Sequence, residues 1–136
     1  MHTPTAIAIL GLATWCLFTL LVLASYRVFL TLAAAKPANS FAPDGSDVPG
    51  FGQRLVRVHA NGYENIPLYV GVMVYAIATE QTAITDPGAM MLLWARVAQG
   101  VVHAASTSIP AVLLRFAFFA LQAGILASWI WRMAVA

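Results

Sequence analysis

The residues with chemistry to offer stand close together in one stretch. Between positions 54 and 65 come Arg54, Arg57, Asn61, Glu64 and Asn65. At roughly 100° per residue these side chains, with Leu68, fall within an arc of about 100° on a helix. Cations, amides and a carboxylate on one stripe suit an anion or a zwitterion. A weaker set follows at Arg96, Gln99 and His103, spaced three and four apart and so on one helix face. Arg115 follows Pro110 by about a turn and a half. An arginine keeps its proton in a protein, so it offers a fixed charge rather than acid–base chemistry. No HxxxH or HExxH spacing occurs, and Cys16 is the lone cysteine, so neither a metal site nor an internal disulfide is supported.

The elements that position these groups follow from composition. Of 136 residues, 61% are hydrophobic and 9% charged, against about 25% charged in a soluble domain. Such a chain cannot cover its surface in water. Its few basic residues are scattered, which argues against a nucleic-acid partner. The expectation is an all-α membrane protein, a single unit over 1–136 built from four transmembrane helices at about 5–33, 51–80, 88–106 and 110–133. Residues 1–4 lack the positive start of a secretory signal, and the apolar run that follows is too long for one, so the first helix reads as a permanent span. Residues 36–50, with three prolines, two glycines and two acids, form the one substantial loop. Residues 80–87 read as a turn, with Asp86-Pro87 as the entry to the third helix. Pro110 suits the first turn of the fourth.

The second helix carries the strongest signal. Its purely apolar part, 66–79, has 14 residues, too few to cross about 30 Å of hydrocarbon. The span must recruit residues from about His59 onward, drawing Asn61, Glu64 and Asn65 toward the membrane. A stripe like this cannot face lipid, and ionisable residues inside a membrane are functional candidates by default. Arg27, Lys36, Arg54 and Arg57 flank the first loop and the second connection holds no cation, so the first loop is read as cytoplasmic and both termini as non-cytoplasmic; Arg132 counts the other way. The leaflet on the loop side then collects Arg57, Asn61, Glu64, His103, Arg115 and Arg27. That set suits a small zwitterion with several carboxylates and an amine, and the apolar walls around it suit a lipophilic second substrate.

The stretch Arg54-Leu55-Val56-Arg57-Val58-His59-Ala60-Asn61-Gly62-Tyr63-Glu64-Asn65-Ile66-Pro67 resembles the signature of the MAPEG family, the membrane-associated proteins in eicosanoid and glutathione metabolism. Arg57, Asn61, Glu64 and Pro67 fit its pattern. The four-helix layout, the long first loop and Arg96 also fit, and the likeness is to bacterial members. The resemblance implies a homotrimer in a bacterial inner membrane, with glutathione as co-substrate bound between neighbouring subunits. It implies Arg57, Asn61, Glu64, Arg96, His103 and Arg27 as glutathione-binding residues and Arg115 as the catalytic residue that stabilises the thiolate. Phe116 stands where some members have serine, and Ala60 where some have arginine.

The reading is a membrane-bound glutathione-dependent transferase or peroxidase acting on lipophilic electrophiles. A non-catalytic lipid-binding or scaffold protein of the same fold is the alternative. A small transporter is a third, but no broken helix or inverted repeat is visible.

Overall fold

The computed structural model describes residues 3–135. It consists of α1 Pro4–Ala33, α2 Gly50–Ala78, α3 Thr82–Ala105 and α4 Ile109–Ala134. The shortest, α3, has 24 residues, about 36 Å at 1.5 Å per residue. All four are therefore longer than the roughly 30 Å hydrocarbon core. Only α1 and α4 are apolar enough to qualify as spans on their own, with mean hydropathies of 2.4 and 1.9. The other two carry the polar stripes. Met1, His2 and Ala136, at the edges of the expected unit and of the 1–4 segment, lie outside the described residues.

The helices are punctuated as their sequences dictate. Thr3 caps α1 by accepting from the Ala6 amide at 3.2 Å, with Pro4 in the first turn. Asp86 of α3 adds a second cap: its Oδ1 accepts from the Thr5 amide at 3.0 Å and from the Thr5 hydroxyl at 2.6 Å. The Thr85 hydroxyl lies 2.7 Å from that of Thr5. These bonds answer free amides at the start of α1 and pin α1 to α3.

They also explain the one clear departure from expectation. Helix three begins at Thr82, not near Gly88, and Asp86 and Pro87 lie inside it. The turn before it is short because α2 ends in a Schellman motif. The Gln81 amide donates to the Ala76 carbonyl at 2.8 Å and the Glu80 amide to Ile77 at 3.2 Å, with Glu80 at φ 59. A proline at the sixth helical position removes one amide donor, leaving the exposed Ala83 carbonyl without its helical partner. The other helix ends fall within two residues of the sequence reading.

In the bundle α3 is central, packing on α1, α2 and α4, while the backbones of α1 and α4 do not approach each other closely. The main core lies in the half away from the first loop. There Ala8 and Leu12 of α1, Met73 and Ala76 of α2, Leu92 of α3, and Trp129 and Met133 of α4 pack together. The loop-side half has a much smaller cluster, Leu23, Leu55 and Val56. In α4 every buried residue comes at or after Gln122. Its first half, with Leu113 64% and Phe116 66% exposed, finds no seat in its own chain.

The first loop is folded onto α2. Gly45 takes φ 73, and a Cβ there would meet Val56 Cγ2 at 2.9 Å, so both its conformation and its space require glycine. Lys36 pairs with Asp47 at 3.0 Å. The hydrogen bond from Lys36 holds the Asp47 carboxyl below its usual range. Asp44 is held low by hydrogen bonds from the Ser46 amide and hydroxyl, at 3.1 and 2.8 Å.

Candidate functional site

The site builds up from two levels in the loop-side half. The deeper level is a buried polar network. Arg96, 2% exposed, donates through Nη1 to Gln99 Oε1 at 3.1 Å and through Nη2 to the Asn61 carbonyl. Gln122 Nε2 donates to the same Gln99 oxygen at 3.0 Å and to the Phe118 carbonyl at 2.8 Å. Asn65 Nδ2 also donates to the Asn61 carbonyl, at 2.9 Å. A charge in the bundle's interior survives only with such partners. The network ties α2, α3 and α4 together two turns below Arg115.

Above it opens a cleft of about 350 Å³. Helix α2 supplies Gln53, Arg54 and Arg57; α3 and the following turn supply His103 and Thr107; α4 supplies Arg115; the first loop supplies Asp44. The charged neighbours of His103 are Arg115, Arg57, Arg96 and Arg54. Among the described residues none of these arginines has a carboxylate within salt-bridge distance; the one ion pair is Lys36–Asp47. Arg54 donates through Nε to the Ala104 carbonyl at 2.8 Å, a cation placed on the negative end of α3. Arg115 Nη1 is buried and without a partner. A buried guanidinium donor left open, in a cleft of unpaired cations, is arranged to receive an anion.

The residues singled out from sequence divide into groups. Arg57, His103 and Arg115 line the cleft together. Asn61 is half-buried at the level below, its carbonyl held by Arg96, while Glu64 is exposed on the same stripe. Arg96 turns its donors inward to Gln99 and Asn61. Arg27 is elsewhere: it lies over the Phe41 ring at 5.4 Å, in a separate cleft of about 410 Å³ with Thr31 and Asn39. Sequence reasoning did not single out Gln122 or Asp44. Gln122 left a signal, a lone amide two turns after Arg115 in an apolar helix.

A four-helix membrane bundle with cationic side chains gathered at one end is the class of protein these features define. The MAPEG family model matches residues 5–135, and the chain belongs to that family. The family is one of membrane helical bundles related to glutathione and eicosanoid metabolism. Neither the curated proteins nor the solved structures searched contain a match.

Proposed function

We propose that this protein is a membrane-bound glutathione-dependent transferase or peroxidase acting on lipophilic electrophiles. The observation that carries the reading is the open, buried Nη1 of Arg115 in a cleft that also holds Arg57 and His103. Only a thiolate attacks, and a free thiol has a pKa of about 8.5. A fixed guanidinium beside the sulfur favours the anion and holds it in place. The thiolate then forms a carbon–sulfur bond as a leaving group departs with its electron pair. Arg57, Asn61, Glu64 and His103 bind the peptide, with Glu64 receiving its amino group. We assign Arg96 a positioning role, through the Asn61 carbonyl it holds.

The site is completed by neighbouring copies in a homotrimer. Four features support this. Arg57, Asn61, Glu64, Leu68, Gly71 and Tyr75 are exposed or half-exposed at alternating spacings of four and three, a heptad seam along α2. Arg57 and Glu64 have no cover from their own chain at a depth where lipid cannot be their neighbour. The first half of α4 is likewise unseated. Arg27, remote from the cleft in its own chain, is available to a neighbour's. The electrophile arrives from the bilayer, and the membrane is that of a bacterial cell with the first loop cytoplasmic. Calorimetric titration of the detergent-solubilised protein with glutathione, followed by turnover of a generic aryl halide, tests the reading. Saturable binding with thioether formation and halide release is expected; absence of both removes it.

A further inference from the structure

On the other side of α2 and α3 from the cationic cleft lies a second cavity of about 350 Å³. Trp15 and Phe18 of α1, Leu55 and Val58 of α2, and Val101 and Ala104 of α3 line it. Its Thr19 hydroxyl is already engaged, 2.9 Å from the Cys16 carbonyl and 3.3 Å from His59 Nδ1. The walls therefore offer nothing to a polar ligand. Trp15 forms one wall by lying flush on the α3 backbone, which Gly100 permits: a Cβ there would meet Trp15 Cζ2 at 2.5 Å. Along α2 the cavity runs from Phe51 to Val58, about 10 Å at 1.5 Å per residue. It starts at the loop end of the bundle, where Phe51 opens α2 and Ala105 closes α3. It is thus a groove leading from the interface into the hydrocarbon, with Phe18, Phe51 and Val101 about half exposed along it.

Arg54 stands at its mouth, between two of its lining residues. The guanidinium lies 5.8 Å from the Phe51 ring and donates through Nε to the Ala104 carbonyl. Among the described residues no carboxylate pairs with it. An apolar slot in a bilayer with an unpaired cation at its interfacial end has the chemistry of a phospholipid site. We infer that this groove holds one acyl chain of an anionic phospholipid, with the lipid phosphate on Arg54. The apolar groove shares no lining residue with the thiol cleft, Arg54 stands on the border of the two, and the inference does not rest on the thiol reading.

The test is native mass spectrometry of protein released from nanodiscs of equal phosphatidylglycerol and phosphatidylethanolamine. The wild type should retain one phospholipid per chain, with the anionic lipid preferred about fivefold, the gain one interfacial cation supplies. Arg54→Gln should keep a bound lipid but lose the preference. Ala104→Phe, which fills the groove, should lose both lipids; Val101→Trp serves the same end if the first variant does not fold. A wild type that retains no lipid, or an unchanged preference in Arg54→Gln, overturns the inference. So does loss of the oligomer with lipid retained in the filled variants, which would make a second copy the occupant.

Discussion

The two halves of the bundle are built on opposite principles. Away from the first loop, four helices meet around Leu12, Met73 and Leu92, each fully buried, and the Thr5–Thr85–Asp86 cluster closes the end. On the loop side the apolar cluster shrinks to three buried residues, cations line a cleft, and α4 buries nothing before Gln122. The Arg96–Gln99–Gln122 network marks the border. The half away from the loop leaves no buried charged donor open, its one buried unpartnered side-chain atom being the Gln81 amide oxygen among the described residues; the loop-side half leaves the Arg115 guanidinium open. Open donors in a membrane are stable only when something else answers them, whether a ligand or a second copy. On the proposed reading, stability and recognition are separated along the helix axis.

Substitutions can break or sharpen that division. The largest stability effect belongs to the satisfied half: Leu12→Ala should cost about 2–5 kcal/mol through the cavity it leaves. It should lower the Tm in detergent while glutathione affinity per folded protein changes little. Comparable affinity loss with no change in Tm would erase the division. Arg96→Met, at the border, should cost about 2–3 kcal/mol, because charged hydrogen bonds to Gln99 and Asn61 disappear. It alone should depress Tm and binding together; a change confined to either would move the border. Glu64→Gln should weaken glutathione binding by about 1–3 kcal/mol, read by calorimetry, with Tm nearly unchanged. Unaltered binding would remove Glu64 from the site. Asp86→Ala should cost about 1 kcal/mol, the worth of a helix cap, again in Tm and not in binding. The smallest effect concerns the loop. Asp44 and Asp47 have folded pKa values below their ordinary 3.8, so their contribution is present above that value and is lost as pH falls through the lower folded values. Limited proteolysis should show loop cleavage accelerating only in that acidic window, with the helices still protected.

What could be read from sequence alone follows the helical period. Arg57, Asn61 and Glu64 share a stripe because their spacing places them there, and the same arithmetic put Arg96, Gln99 and His103 on one face. The depth of Arg115 followed from Pro110 and the rise per residue. Spacing does not say which helices are neighbours. Arg27 was grouped with the set by its leaflet alone; within one chain its guanidinium sits over Phe41 in a separate cleft, and only a neighbouring copy could bring it to the set. Nor does spacing show that Arg96 turns its donors to Gln99 and to the Asn61 carbonyl of another helix, with Gln122 of α4 donating to the same Gln99 oxygen. Asp44 was invisible because a left-handed glycine, not a period, brings the loop to α2. The third helix was begun too late because Pro87 was weighed as a helix start, when Asp86 and Thr85 were bound to Thr5 on another helix.

The central claim is that the open half receives a thiolate on Arg115. Ultraviolet difference absorbance of the glutathione complex, wild type against Arg115→Ala, tests it most directly. Each unit of thiol pKa is worth about 1.4 kcal/mol of preference for the anion. The wild type should show bound thiolate at neutral pH. Arg115→Ala should shift that signal to higher pH and lower turnover more than affinity. A wild type with thiolate and turnover that both survive Arg115→Ala would contradict the assignment and move thiol activation to His103. A wild type with neither would leave the cleft as the charged lining of a non-catalytic protein.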